Sequence, residues 1–277
     1  MQLLTHSKKL LGRLQSAGSQ LSDEVLYRYH RHFRGVDIDG PPIYIIGCGH
    51  SGTSLLLSIL DAHSRLYSVP GESYLAFKDR EVQHALLDEF ERSTIAAGKQ
   101  RWVEKTPTHV RKIDELLRLT PDAHFLVMLR DGRDVACSIR DRTGDFEKGV
   151  ERWVSDNREA EKYLSDPQFH RVKYEDIVRE FGNTIGNVLN YCGEKLEKGI
   201  YKYHEKDKYF FSDKIEKPNS IQNNDEHNQY RNWQINKPIF DGTGRYKKEM
   251  NSREKKTFKE KAGKELLKYG YEKNNEW

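Results

Sequence analysis

The run Ile43-Tyr44-Ile45-Ile46 is short, β-rich and apolar at every position, the pattern of a strand covered on both faces. It passes without a break into Gly47-Cys48-Gly49-His50-Ser51-Gly52-Thr53-Ser54, and then into the apolar stretch Leu55 to Leu60. Strand, glycine turn and helix in that order aim backbone N–H groups and a helix N-terminus at one point, which makes a cradle for an oxyanion. The alternative is a tight βα turn whose glycines only relieve backbone strain.

A second unit of the same build follows. His124-Phe125-Leu126-Val127-Met128-Leu129 reads as a buried strand entering the turn Arg130-Asp131-Gly132-Arg133-Asp134, with a helix from near Val135. Shorter strands are expected at Leu66 to Val69, Trp102-Val103 and Arg171-Val172-Lys173-Tyr174, with helices over 81 to 92, 108 to 118 and 149 to 164. Alternating strands and helices imply an α/β fold, a central parallel β-sheet flanked by helices. Residues 1 to 35 read as a helical lead-in with Ser22 and Asp23 as caps, part of a lead-in ending near residue 40. Residues 199 to 248, rich in Tyr, Lys, Asn and Asp, show no periodicity and are expected to be an irregular segment covering the site. An amphipathic helix from Ser252 to Tyr269 closes what we read as one domain over 1 to 277.

Composition enters as a set of exclusions. Hydrophobic residues are 36% of the chain, and 15 Tyr, 11 Phe and 4 Trp supply enough core to exclude disorder. A net charge of +4 suits a small polyanion as well as nucleic acid, and decides nothing between them. Cys48, Cys137 and Cys192 are odd in number and lack metal-ligand spacing, so no disulfide framework or metal site is expected, and a reducing, cytoplasmic setting fits. Polar residues interrupt the first residues and no run approaches membrane-spanning length, so a soluble protein is expected.

Three ligand classes compete for the glycine turn. It has the frame of a nucleoside-triphosphate loop, but Thr53 stands where that motif needs Lys. It also satisfies a dinucleotide fingerprint through Gly47, Gly49 and Gly52, with Glu72 placed as a ribose-binding acid, so an NAD(P)-dependent oxidoreductase is the rival reading. Against it, Pro70-Gly71 breaks the chain just before Glu72. Thirdly, His50-Ser51-Gly52-Thr53-Ser54 resembles the 5'-phosphosulfate loop of sulfotransferases that use 3'-phosphoadenosine 5'-phosphosulfate (PAPS). His50 stands where that loop usually has Lys or Arg, and an unperturbed imidazole is only partly protonated at pH 7.

Further segments extend the resemblance in family order. Arg130 through Ser138 resembles the 3'-phosphate-binding segment, an Arg ending a strand and a Ser opening the next helix; Arg offers phosphate a rigid fork of donors. A salt-bridged turn formed by Asp131, Arg133 and Asp134 is the alternative there. Pro70-Gly71-Glu72 resembles the segment carrying the catalytic carboxylate in tyrosylprotein and related sulfotransferases, which implies Glu72 as general base, and an exposed loop glutamate is the alternative. Glu104-Lys105-Thr106-Pro107 resembles the segment that sets a catalytic Lys beside the transferring group, and a surface Lys at a strand end is the alternative. Tyr174-Glu175-Asp176 matches a segment whose Tyr lies near the nucleotide, a buried structural Tyr being the alternative, and Gly242 to Lys247 resembles the basic segment that closes over it, with Arg245 the contact.

The resemblance therefore implies a sulfuryl transferase with Glu72, Lys105 and His50 at the reaction. Gly49, His50, Ser51, Gly52, Thr53, Ser54, Arg130, Ser138, Tyr174 and Arg245 would hold PAPS and its product adenosine 3',5'-bisphosphate, without a metal. Two anion sites in one sheet suit a ligand with phosphates at two ends better than NAD or ATP. A small-molecule, saccharide or peptide acceptor is the expected partner, with nucleic acid and membrane excluded; a nucleic-acid-binding module without catalysis lacks any aromatic and basic motif here.

Overall fold

The structure is a computed structural model that describes residues 38–277 apart from positions 222 and 275, so the expected lead-in helix with its caps Ser22 and Asp23 lies outside the described residues. Five parallel strands form one sheet: β1 (Ile43–Gly47), β2 (Leu66–Ser68), β3 (Arg101–Lys105), β4 (His124–Leu129) and β5 (Phe169–Lys173). Their order is β2-β3-β1-β4-β5. The glycine turn leads into α1 (Thr53–Asp61). Then come α2 (Arg80–Ala96), α3 (Ile113–Leu119), α4 (Gly132–Thr143), α5 (Phe146–Glu161), α6 (Tyr174–Arg179) and α7 (Phe181–Tyr191). The chain continues through α8 (Asn224–Ile235), α9 (Tyr246–Glu249) and α10 (Ser252–Lys268).

Alternation along the strands builds two cores. Ile43 and Ile45 of β1 join Leu126 and Met128 of β4 under α1 and α7, whereas Tyr44 and Ile46 join Phe125 and Val127 under α2 and α3. Each strand must therefore be apolar at successive positions, which is why the two central strands are readable as continuous runs. A third cluster packs α4, α5 and α10 around Trp153 and Phe258, both fully buried.

Strand order decides against the dinucleotide reading. In that fold the second strand lies beside the first, but here β3 is inserted between β1 and the edge strand β2. From β1 the chain steps out to the edge strand β2, comes back inward to β3, and then passes β1 to reach β4. The crevice between β1 and β4, paired from Ile43↔His124 to Gly47↔Met128, is thus the switch point where the loops at the strand ends diverge.

The segment 199 to 248 corrects the expectation of an irregular stretch. It carries a 3-10 turn over Lys198–Glu205 and the three-turn helix α8, whose N-terminus is closed by a capping box between Asn223 and Glu226. The stretch 108 to 118 is also divided, into a 3-10 turn over Pro107–Arg111 and α3. The three cysteines are free and buried. Among the described residues no helix is long and apolar enough to cross a membrane.

Candidate active site

At the ends of β1 and β4 the two turns meet. Arg130 Nη1 donates to the His50 carbonyl at 3.2 Å, and His50 Nδ1 lies 2.8 Å from Ser138 Oγ. One cavity of about 1160 Å³ is lined by Gly49, His50, Gly52, Thr53 and Ser54 from the first turn and by Arg130 and Ser138 from the second. Tyr174, Arg245 and Glu72 also line it. Most of the predicted residues are therefore brought together, although they come from five strand ends or later segments.

The local geometry of the first turn is forced. Gly47 has a φ of 132°, and a Cβ there would stand 2.5 Å from the Met128 carbonyl oxygen of the neighbouring strand. Gly52, at φ 92°, is the N-cap of α1 and offers no capping side chain, so the first N–H groups of the helix are left for an anion. A Cβ on Gly52 would meet the Tyr174 ring at 2.7 Å. His50 itself sits at φ 67°, a strained conformation for a side-chain-bearing residue.

The second turn is held from below. Trp153 Nε1 donates to the Arg130 carbonyl at 2.9 Å, and its indole fills the space where a Cβ on Gly132 would be, 2.4 Å away. The salt-bridged turn foreseen for this stretch exists, because Arg133 Nη2 binds Asp131 at 2.7 Å and Arg130 Nη2 lies 3.9 Å from Asp134, yet Arg130 still lines the cavity. The Arg130 guanidinium lies 4.3 Å from the centre of the Tyr174 ring and donates to the Gly242 carbonyl at 2.6 Å. Asp134 accepts from the N–H groups of Gly244 (2.8 Å) and Tyr246 (3.0 Å), which docks the late glycine segment over the turn. Arg245 is paired with Glu249 and Asp141 on the rim.

Two buried polar atoms of the turns bear on the fit of a doubly anionic nucleotide. Arg130 Nε and Ser51 Oγ are both buried without a hydrogen-bond partner. Arg130 Nε belongs to a cavity-lining side chain, so an anion there would satisfy it. Ser51 departs from expectation: it is fully buried and contributes nothing to the cavity wall, because its N–H turns back to the Cys48 carbonyl at 3.3 Å. The charge of His50, open in the sequence, follows from its surroundings. Burial, followed by the charges of Arg152 and Arg142, pushes its imidazole down to about 3, so it is neutral at pH 7 and can offer only a hydrogen bond.

Glu72 lies four residues beyond the end of β2, in the cavity wall. Lys105 is not the surface lysine of the alternative reading: it is fully buried at the end of β3, and it does not reach the cavity wall. Its Nζ donates to Glu72 Oε1 at 2.6 Å, so it stands behind the carboxylate. The adjoining Glu104 fixes this pair, since Ser73 Oγ (2.7 Å) and Thr106 Oγ1 (2.6 Å) both donate to its Oε1 and tie the Glu72 loop to β3.

Sequence reasoning missed Arg231. It projects from α8, lines the cavity, and donates through Nη2 to Glu72 Oε1 at 2.5 Å. Burial alone would raise the Glu72 carboxyl, but Lys105 and Arg231 outweigh it and hold the group down to about 2. Burial and the Arg231 charge together push Lys105 down to about 8.

Residues 72–198 match the model of the sulfotransferase family. A putative protein-tyrosine sulfotransferase of Caenorhabditis briggsae is 25% identical over 197 residues, 59% of this chain and 69% of that protein. An uncharacterized protein of Aquifex aeolicus is 23% identical over 205 residues, and the match spans 59% of this chain but only 27% of that protein's length. Among solved structures, a mouse sulfotransferase complexed with PAP shares the fold, with a TM-score of 0.52, 13% identity, and coverage of 83% of this chain and 86% of that one.

Proposed function

We propose, from the match of residues 72–198 to the sulfotransferase family, that the chain moves a sulfuryl group from PAPS to a hydroxyl or amino group of a small-molecule, saccharide or peptide acceptor. The observation that carries this reading is the contact of the two turns in a single cavity, through Arg130 to the His50 carbonyl and His50 to Ser138. Such a cavity suits one ligand with anionic groups at both ends, and its volume leaves room for an acceptor beside it.

Each residue then has a task. The free N–H groups at the start of α1 and the Thr53 and Ser54 hydroxyls hold the 5' end, and the neutral His50 adds a hydrogen bond. Arg130 and Ser138 hold the 3'-phosphate, with Tyr174 stacked beneath the guanidinium and the Gly242 to Arg245 segment above. Glu72 takes the proton of the acceptor as the new bond to sulfur forms; the bond from sulfur to the phosphate oxygen breaks, and its electron pair stays with adenosine 3',5'-bisphosphate. Lys105, behind the cavity wall, fixes the Glu72 carboxylate through its Nζ. No metal is needed in this scheme. A cytoplasmic setting belongs to the same proposal and is supported by the free, buried cysteines.

The test is incubation with labelled PAPS and a panel of alcohols, amines, saccharides and tyrosyl peptides, with label transfer read by mass spectrometry. Transfer to at least one acceptor is expected. Glu72→Gln should bind adenosine 3',5'-bisphosphate at least as tightly as the parent, yet turn over roughly 10² to 10⁴ times more slowly. Undiminished turnover in that variant would take the base role away from Glu72.

A further inference from the structure

We propose that Arg231 is a positioning residue that holds the Glu72 carboxylate out of service until the anionic sulfuryl donor draws its guanidinium away. The inference rests on the sulfuryl-transfer reading and adds to it an order of events.

Both oxygens of Glu72 are engaged. Oε1 accepts from Lys105 Nζ and from Arg231 Nη2, and Oε2 accepts from the Tyr74 hydroxyl at 3.0 Å. A carboxylate so stabilised in its charged form is a weak base at neutral pH, because general-base catalysis needs a group whose proton affinity is near the working pH. One of the two cations has to withdraw before Glu72 can accept a proton from an acceptor.

Geometry selects Arg231 for that movement. Lys105 has no exposed surface and is walled in, whereas Arg231 is one-fifth exposed (20%) and faces the cavity. The same Nη2 that binds Glu72 lies 3.4 Å from Ser54 Oγ, on the first turn of α1. Arg231 therefore bridges the base and the anion cradle, and a displacement on the order of a hydrogen-bond length would carry its charge from one to the other. Its plane rests on Phe211, 3.9 Å from the ring centre, a surface along which a guanidinium can slide without losing its contact.

The helix beneath is firm, which confines the movement to the side chain. The capping box holds the first turn of α8; Asn232, fully buried, accepts from the Phe211 N–H at 3.2 Å and donates to the Lys214 carbonyl at 2.9 Å. The charged and titratable groups facing Glu72 are Lys105 from β3, Arg231 and His227 from α8 and Tyr74 from its own loop, with Arg142 of α4 acting on Tyr74 and His227. Burial and the charges of Arg142 and Arg231 keep His227 down to about 4, so it adds no charge near neutrality.

The experiment compares two pH profiles, with the acceptor identified in the panel and PAPS as donor. kcat/KM for PAPS reports the enzyme before the donor binds, and kcat reports the loaded enzyme. In the parent protein the acidic limb of kcat should lie about one pH unit or more above that of kcat/KM, the size of shift expected when an opposite charge leaves a carboxylate. In Arg231→Gln the two limbs should converge, and Arg231→Lys should restore part of the gap. Calorimetric binding of adenosine 3',5'-bisphosphate by Arg231→Gln shows that the variant is folded and its nucleotide site intact. Coincident limbs in the parent, or an unchanged gap in Arg231→Gln, would overturn the inference while leaving sulfuryl transfer standing. If the parent neither binds the bisphosphate nor transfers label, the underlying reading falls and takes the inference with it.

Discussion

Arg130 joins more parts of the site than any other side chain described above. Its Nη1 reaches the first turn, its Nη2 the Gly242 segment and its face the Tyr174 ring, while Nε remains for an incoming anion. A lysine keeps the charge but cannot reproduce that planar fork. Arg130→Lys should therefore weaken adenosine 3',5'-bisphosphate binding by roughly 10- to 100-fold in calorimetry, the equivalent of about 1.5–3 kcal/mol for a hydrogen bond to a charged group. His50 gives a different signature. Its folded value, about 3, lies below the ordinary 6.5, so the unfolded chain takes up a proton first as pH falls. The stability that the neutral imidazole contributes is complete above 6.5 and is lost progressively from there toward 3. Asn tolerates the positive φ of this position without titrating. Urea midpoints at pH 7 and pH 5 should consequently differ less in His50→Asn than in the parent, and equal differences would show that the imidazole is not held neutral by the fold.

At the scale of elements, α8 is held by its ends more than by a hydrophobic stripe. Asn224 to Ile235 contains few apolar side chains, so helical periodicity was not visible in the sequence, and the Asn223/Glu226 capping box carries much of the start. Asn223→Ala should cost about 1 kcal/mol locally, seen as faster amide hydrogen exchange across α8 than across α1 or α4, and unchanged exchange would refute that role for the cap. The same contrast explains what could be read in advance. The strands beginning at Ile43 and at His124 were legible because burial on both faces demands unbroken apolar runs, and the glycine turn because its positive φ angles admit few other residues. The partnership of Lys105 with Glu72 and Arg231 was not legible in the same way. It joins β3 to a loop 33 residues earlier and a helix much later in the chain, and no local pattern encodes a pairing of that range. Gly132 is similar: it reads as a turn residue, but the reason for it is the Trp153 ring packed against it from α5.

For the molecule as a whole, the order β2-β3-β1-β4-β5 means that the two turns belong to opposite halves of the sheet, one after β1 and the other after β4. A ligand gripping both turns ties these halves together in addition to the β1–β4 ladder, and it binds only when both are folded. Mass action then stabilises the native state by about 2.7 kcal/mol at a ligand concentration 100 times its Kd. For a chain of this size that corresponds to a rise in Tm of roughly 5 °C. Adenosine 3',5'-bisphosphate should produce this shift. Adenosine 5'-monophosphate, which reaches only the first turn, should produce less of it at the same concentration, and NAD should produce none. Arg130→Gln should erase the advantage of the bisphosphate over the monophosphate, because the second anion then has no fork to enter. Equal protection by the two nucleotides in the parent protein would mean that the turn at Arg130 holds no phosphate, and protection by NAD alone would return the glycine turn to the dinucleotide class that the strand order argues against.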